Sequence, residues 1–456
     1  MPSSNRKQFS ENNAEEKSRV YGIDRRQFLQ LTAAGAMASS LGMAAPERRP
    51  NILFILADQF RAQSLPSSGD PDIHAPNLAR LAREGMHFNC AYASDPLCSP
   101  SRSSLMTGQF PRVAGVPHNN VLLPLSDHCL PQQLKNAGYA TGYVGKWHLD
   151  GEPKPGFVPP GPHRRGFDYW AGFNRGHEYY SSIYFRDTDK PIHAVGFEPD
   201  YQTYLATEFI QQHQSQPFYL YVSYGPPHTP RKPPPWYANY YKPGQFHLPP
   251  NVPGNYEQKA RHDRVGYYGL CSAIDDEVGR LLQTLDDLNL TRDTIVMFTA
   301  DHGDMLGSHG LEYKSVPYEE SARVPLLLRY PRAIQGARKS DLLVSNIDLM
   351  PTLLSLCRAP IPQSVQGIDI SRQVVSGKGE RPESIYQESK LGTEDEWHMV
   401  VKGRDKLVMN LKNEVIHYFN LADDPYEMHD RPDLGSQRAD LKKLLLEWHR
   451  KAGGQA

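Results

Sequence analysis

Apolar residues along this chain gather into short, almost unbroken runs, and four of the runs end in polar residues of the kind that carry chemistry. Asn51-Ile52-Leu53-Phe54-Ile55-Leu56 runs into Asp58-Gln59, and Tyr139-Ala140-Thr141-Gly142-Tyr143-Val144 into Gly145-Lys146-Trp147-His148. Phe218-Tyr219-Leu220-Tyr221-Val222 leads to Pro226-Pro227-His228-Thr229-Pro230, and Thr294-Ile295-Val296-Met297-Phe298 to Asp301-His302-Gly303-Asp304. Continuous apolar runs are what a sheet covered on both faces requires. In open α/β sheets ligands gather beyond the carboxyl ends of the strands. Four such strands delivering charge at the same end predict a single site.

Helical periodicity separates the strands. Leu78, Leu81 and Ala82, closed by Gly85, predict one helix. Tyr267, Leu270, Ile274, Val278, Leu281, Leu282 and Leu285 predict a longer one at three- and four-residue spacings. Asp275, Asp276 and Glu277 fall on its polar face and are expected to be solvated. Residues 151–190 and 225–260 are dense in Pro, Gly and aromatics and read as insertions over the sheet edge. Beyond about residue 375 the pattern changes to short antiparallel strands at 384–388, 399–411 and 416–421, with a closing helix at 437–450. No internal repeat is visible. The expected architecture is α/β, a large domain over 50–375 and a smaller α+β subdomain over 376–456.

Composition acts mainly by exclusion. A net charge of −1 with mixed signs points to no nucleic acid and no acidic partner. The 39 prolines and 35 glycines suggest long ordered loops around a compact centre. Tyrosine outnumbers phenylalanine, 25 to 16, so many rings are expected to keep one wet edge, as in binding clefts. The five cysteines, at 90, 98, 129, 271 and 357, form no C-x-x-C pair, which argues against zinc ribbons and thioredoxin-like motifs. Near the N-terminus, Asp24-Arg25-Arg26-Gln27-Phe28-Leu29 precedes a weakly apolar, uncharged run from Leu31 to Ala45. That is the form of a twin-arginine export signal, with small residues suited to cleavage after Ala38 or Ala44. The run falls short of the roughly 20 strongly apolar residues a membrane span needs. Residues 1–45 are therefore expected to be a leader, the export machinery a partner, and the mature protein a bacterial one in the periplasm or outside the cell. A disordered basic N-terminus is the plainer alternative.

Cys98-Ser99-Pro100-Ser101-Arg102, continuing through Leu105 to Thr107-Gly108, is the most informative stretch. Pro100 suits the first turn of a helix, having a fixed φ and no N–H to leave unpaired. Cys98 then sits at the helix N-terminus, where free N–H groups and the dipole favour an anion. Arg102, one turn on, adds a positive charge. A small buried cysteine in a loop-to-helix turn is the alternative for this segment alone.

The segment resembles the C-x-P-S-R…T-G signature of type I sulfatases, in which a maturation enzyme oxidises the cysteine to formylglycine. The resemblance runs from Asn51 to Asp423-Asp424-Pro425-Tyr426-Glu427. It implies an alkaline-phosphatase-like fold with a mixed, mostly parallel central sheet covered by helices. It also implies one divalent ion, usually Ca2+, held by Asp58, Gln59, Asp301, His302 and the formylglycine made from Cys98. Oxygen donors suit calcium, and His302 leaves Mg2+ or Mn2+ open. Where the family usually has a second aspartate this chain has Gln59, one negative charge fewer.

Catalytic roles follow from the same resemblance. A hydroxyl of the hydrated aldehyde attacks sulfur, next to Arg102. Lys146 and Lys314 stabilise charge on the sulfuryl oxygens, His228 protonates the departing alcohol and His148 assists loss of the second hydroxyl proton. Lys146 and His148 flank Trp147, and alternate side chains of an extended segment point the same way. For substrate, Trp170, Phe173, Tyr179, Tyr180 and Tyr184 form one aromatic loop with Arg175 and His177. Trp236, Tyr237, Tyr240 and Tyr241 form a second after Arg231-Lys232. Such faces stack on sugar rings and hold neighbouring sulfates or carboxylates, so Arg175, His177, Arg231 and Trp236 are candidate substrate contacts; loop packing around tyrosines is the alternative. The expected activity is hydrolysis of a sulfate monoester, first of all on a sulfated glycan, with aryl sulfates as surrogates. A formylglycine-dependent phosphonate monoester or phosphodiester hydrolase, a non-catalytic glycan-binding relative and a thiol hydrolase using Cys98 remain open alternatives. Oligomeric state is not legible in the sequence.

Overall fold

A computed structural model describes residues 49–431 and 435–454. The leader expected at 1–45 lies outside the described residues. Eight strands build the central sheet: β1 (Asn51–Asp58), β2 (Met86–Tyr92), β3 (Ala140–Lys146), β4 (Tyr169–Phe173), β5 (Phe218–Pro227), β6 (Thr294–Ala300), β7 (Leu326–Arg329) and β8 (Arg338–Ser345). Their spatial order is β8-β2-β7-β6-β1-β5-β3-β4, and β7 alone runs against the rest. β1 is buried along its whole length. It pairs in parallel with β5 (Leu53 opposite Leu220) and β6 (Leu53 opposite Val296). The neighbours β6, β1, β5 and β3 are parallel, so the polar residues after each emerge at one edge of the sheet.

Helices cover both faces. The long helix Glu257–Asp287 buries Tyr267, Ile274, Val278, Leu281 and Leu285 against the sheet. Two of its three acidic residues, Asp275 and Glu277, are not the solvated face expected from the sequence, while Asp276 is half-buried. Asp275 is fully buried and accepts hydrogen bonds from the backbone N–H of Asn77 (3.0 Å) and Leu78 (2.6 Å), closing the N-terminus of helix Pro76–Glu84. Burial pushes its carboxyl up to about 6. Glu277 is buried too and pairs with Arg280 at 3.0 Å. The helix is covered on two sides, so its polar stripe faces protein.

Two further expectations change. Residues 151–190 are more than an insertion, because β4 lies within them and extends the sheet beyond β3. Trp170 stacks on Tyr143 there (4.8 Å between centroids), and Phe173, Tyr179 and Tyr184 are likewise buried. These rings are core, and the sugar-stacking expectation fails for them. The strand expected at 399–411 is a hairpin, β10 and β11 turning at Gly403 (φ 62°), in an antiparallel sheet of β9 (Ser384–Ser389), β10 (Trp397–Lys402), β11 (Asp405–Asn410) and β12 (Val415–Asn420). Helix Gly435–Lys451 packs on it, and Ile385, Met399 and Val401 share a core with Cys90 and Tyr92 of β2. Buried Lys406 joins Glu319 (3.0 Å) to Glu427, tying this sheet to the segment that carries Lys314. All five cysteines are buried and free.

Candidate active site

Cys98 opens helix Cys98–Thr107, and extended Leu97 delivers it from the loop after β2. Its Sγ lies 3.3 Å from His302 Nε2, 3.2 Å from Lys314 Nζ and 3.9 Å from Asp58 Oδ1. Burial and Asp58 raise the thiol's pKa, but Lys314, Lys146 and His302 outweigh them and the thiol is held below its ordinary value. Asp58 ends β1, and Asp301 and His302 follow β6; all three are fully buried.

Arg102 binds these carboxylates from behind. Nε donates to Asp301 Oδ2 (3.0 Å), NH2 to Asp58 Oδ2 (3.1 Å), and NH1 to Lys146 O (2.9 Å) and Ser223 Oγ (2.8 Å). It therefore positions the carboxylates; it is 1% exposed and each of its three nitrogens is already bonded within the protein. Gly145 makes room for the arrangement: its φ is +111°, and a Cβ there would meet Ser223 O at 2.2 Å. Gly303 does the same behind His302, where a Cβ would fall 1.9 Å from Glu320 O.

Ligand atoms of Asp58, Cys98, Asp301 and His302 all lie within 4.8 Å of one another. His302 Nδ1 faces its acceptor Gly303 O at 2.9 Å and so carries a proton, which leaves Nε2, turned toward Asp301 Oδ1 (3.5 Å) and Asp58 Oδ1 (3.7 Å), as the nitrogen that would bind an ion. Burial opposes the Asp58 charge, yet Lys146 and Arg102 hold its carboxyl well below the usual range. Gln59 adopts a left-handed backbone (φ 68°), donates its N–H to Asp301 Oδ1 (3.0 Å) and its Nε2 to Asp304 Oδ2 (2.5 Å). That turns Oε1 back to the site, 2.8 Å from Lys314 Nζ. Two carboxylates, an amide oxygen and one imidazole around the Cys98 side chain fit a divalent cation of the calcium, magnesium or manganese type. The charge Gln59 lacks sits one residue behind it, on Asp304, where Arg231 balances it at 2.8 Å.

Above Cys98 opens a pocket of about 300 Å³ with Asn120, His148, His177, His228 and Lys314 in its walls. Buried Lys146 reaches Asp58 beneath it. His148 faces this pocket for a reason other than strand alternation, because its φ is +60°. Its Nε2 bonds Asn120 Oδ1 at 3.0 Å and its buried Nδ1 has no partner. His228 is the opposite tautomer: Nδ1 donates to Thr229 O at 2.7 Å, leaving Nε2 as the acceptor. Burial, with Lys146 for His148 and Lys314 for His228, holds both well below the ordinary histidine value. His177 stacks on His228 and meets Lys146 Nζ at 3.3 Å.

Of the four expected substrate contacts, Arg175 and His177 reach the pocket. Arg231 does not serve as one: it is spent on Asp304 and Asp263 and stacks over Tyr267. Trp236 is 58% exposed on the short helix Pro235–Ala238, beside Tyr237, and is not in the pocket wall. Sequence reading missed Asn119, Asn120 and Lys154 in the wall. Asp304 stood within a recognised motif, but nothing in one dimension connects it to Gln59.

The sulfatase family model matches residues 50–359, and that of the N-sulphoglucosamine sulphohydrolase C-terminal region matches residues 307–451. The chain is similar to an ulvan-active sulfatase of Formosa agariphila, 36% identical over 72% of this chain and 65% of that protein, so it spans just under two thirds of that relative's length. It is 30% identical to an endo-4-O-sulfatase of Bacteroides thetaiotaomicron over 92% of this chain and 95% of that one. The solved structure of a YidJ-type sulfatase from Bacteroides fragilis superposes with a TM-score of 0.82 at 30% identity, covering 91% of this chain and 98% of that one. Joined to the geometry around Cys98, these matches place the chain in the sulfatase family of sulfuric ester hydrolases.

Proposed function

We propose that this protein hydrolyses a sulfate monoester on a carbohydrate, using a formylglycine made from Cys98 and one divalent ion, Ca2+ in the first place, held by Asp58, Gln59, Asp301 and His302. The observation that carries the reading is the position of Cys98, where the four buried ligand groups and the Lys314 ammonium meet at the floor of the pocket. The ion and the hydrated aldehyde, when present, supply a Lewis acid and an oxygen nucleophile.

The chain's own residues do the rest. Lys314 and Lys146 stand where negative charge on the sulfuryl oxygens needs donors. His228 has its Nδ1 proton committed to Thr229, so the proton for the departing alcohol must travel on Nε2. A sulfate anion arriving beside that ring favours its protonation. His148, with Nε2 committed to Asn120 and Nδ1 free, takes a proton instead. The names of the relatives, ulvan-active and endo-4-O-sulfatase, support a substrate derived from a sulfated polysaccharide. Arg25-Arg26 ahead of the uncharged, weakly apolar run from Leu31 to Ala45 supports a twin-arginine leader and export of the folded protein, with Cys98 converted before it leaves the cytoplasm.

The test is sulfate release from 4-nitrophenyl sulfate and from sulfated oligosaccharides, with bis(4-nitrophenyl) phosphate in parallel, by protein co-expressed with a formylglycine-generating enzyme. Faster turnover of sulfate esters, lost in Cys98→Ala, supports the proposal. Faster turnover of the phosphodiester would overturn it in favour of a phosphonate or phosphodiester hydrolase.

A further inference from the structure

Two cations at the mouth of the pocket have no part in the chemistry just described. Lys146, beside Asp58, and Lys314, beside Gln59 Oε1 and Cys98 Sγ, are already assigned to the scissile group. Lys154 and Arg175 also line the wall, further along the chain from either motif. Arg175 is held with one edge open: Nε donates to Glu152 O (2.8 Å) and NH2 to Glu152 Oε2 (3.1 Å), while NH1 enters neither bond. No ion pair holds Lys154 among the described residues. No carboxylate belongs to the pocket wall above Cys98; on their other side the two cations border a smaller cavity that Glu178 and Glu198 also line.

The two are also built into one unit. Asn174, fully buried, accepts at Oδ1 from the backbone of Asp150 (3.0 Å) and donates from Nδ2 to Gly151 O (2.9 Å) and Pro153 O (3.1 Å). Its own N–H donates to Gly156 O (3.0 Å), and that of Arg175 to Pro155 O (3.0 Å). Asn174 O in turn accepts from the backbone N–H of His148 at 2.5 Å. One buried amide thus laces the Lys154 segment to the Arg175 segment and fixes both against catalytic His148. Two cations on backbone segments fixed in this way, with donors to spare, form an anion site whose main chain is preorganised.

We propose that Lys154 and Arg175 form a second anion subsite, and that the natural substrate carries a further anionic group, a carboxylate or a second sulfate, on the sugar that bears the scissile ester or on its neighbour. The inference rests on the sulfatase reading of the same pocket and narrows its substrate class. Charge-assisted contacts of this kind separate matched ligands by tens-fold.

The experiment measures kcat/KM for the formylglycine-bearing protein on three matched sulfate esters: a sulfated neutral hexose, the corresponding sulfated hexuronic acid, and the hexose with a second sulfate. The expected result is a preference of about tenfold or more for one of the two dianions, falling toward unity in Lys154→Gln, Arg175→Gln and the double variant. The arm that shows the preference identifies the group as carboxylate or sulfate. The ratio is internal to each variant, so a general loss of activity does not imitate the effect. Equal rates on all three esters, or a preference untouched by the substitutions, would overturn the subsite and leave the sulfatase reading standing. No turnover of any sulfate ester, including 4-nitrophenyl sulfate, would overturn both.

Discussion

The imidazole rings of His177 and His228 lie face to face, 3.6 Å between centroids and 4° from parallel. Burial lowers the pKa of both, reinforced by Lys146 beside His177 and Lys314 beside His228, so the stack is neutral in the free protein. The acid function is therefore switched on by the substrate's own charge. His228→Ala is expected to cost about 10²–10⁴-fold on alkyl sulfates and far less on 4-nitrophenyl sulfate, whose phenolate leaves without a proton. For alkyl sulfates kcat/KM in the native protein should rise as pH falls through neutrality, because the depressed pKa leaves ever more His228 to protonate. A loss independent of the leaving group would remove His228 from the acid role.

Arg102 is the sole guanidinium bonded to both Asp58 and Asp301 among the described residues. Arg102→Ala leaves two buried carboxylates facing each other, and removing one partner of such a group costs about 3–5 kcal/mol. Denaturant unfolding of the metal-free protein should show that loss, and saturating Ca2+ should return part of it by neutralising the pair. Arg102→Lys supplies charge without the fork and is expected to recover little. Unchanged stability in both variants would contradict the positioning role.

Much of this was legible because the buried parallel strands announce themselves. β1, β3, β5 and β6 show unbroken apolar runs since both faces are covered, and their polar tails meet because the strands are neighbours. Cys98 was placed at a helix start by Pro100 alone. Less legible elements had local patterns with two physical meanings. The four residues of β7 are as apolar as any loop anchor, and β4 hides in a Gly- and Pro-rich segment. Trp170 and Tyr184 look like a binding face in sequence but fill core, as tyrosines do when their hydroxyls find partners such as Glu198. Asp275 reads as solvent-facing because periodicity sees one helix at a time and not the helix Pro76–Glu84 whose end it closes. Arg231 was the correct charge in the wrong layer, behind Gln59 and not in front of it.

The Gln59–Asp304 contact predicts how the metal site responds to restoring the family's second aspartate. Gln59 Nε2 donates to Asp304 Oδ2 at 2.5 Å, and a carboxylate at position 59 replaces that donor by a like charge. Gln59→Asp should melt at a lower temperature than the native protein without metal and gain more from added Ca2+, read by thermal shift. Asp304→Asn should weaken metal binding although residue 304 is outside the proposed ligand set. Equal thermal shifts in all three proteins would show that Asp304 does not orient Gln59.

Glu198 gives a pH test independent of the metal. It is 1% exposed; Oε1 accepts from Tyr184 Oη at 3.0 Å and Oε2 has no partner. Burial pushes its carboxyl up to about 7. A pKa raised above its unfolded value means the folded chain binds the proton more tightly, so its contribution is complete below the unfolded value and is lost as pH rises to about 7. Glu198→Gln stays neutral throughout. The native protein should therefore lose stability relative to the variant between about pH 4.5 and pH 7, by on the order of 3 kcal/mol in full. A difference in melting temperature that does not change with pH would contradict the burial of a proton on Glu198.

The most direct measurement is the mass of the peptide containing Cys98, from active protein made in its native host or with a maturation enzyme. The account predicts a peptide about 18 Da lighter than the cysteine form, the change from CH2SH to CHO, in a fraction that rises in step with sulfate-ester turnover. An intact thiol in protein that still hydrolyses sulfate esters would contradict it, and would transfer the chemistry to the metal site or to the thiol itself.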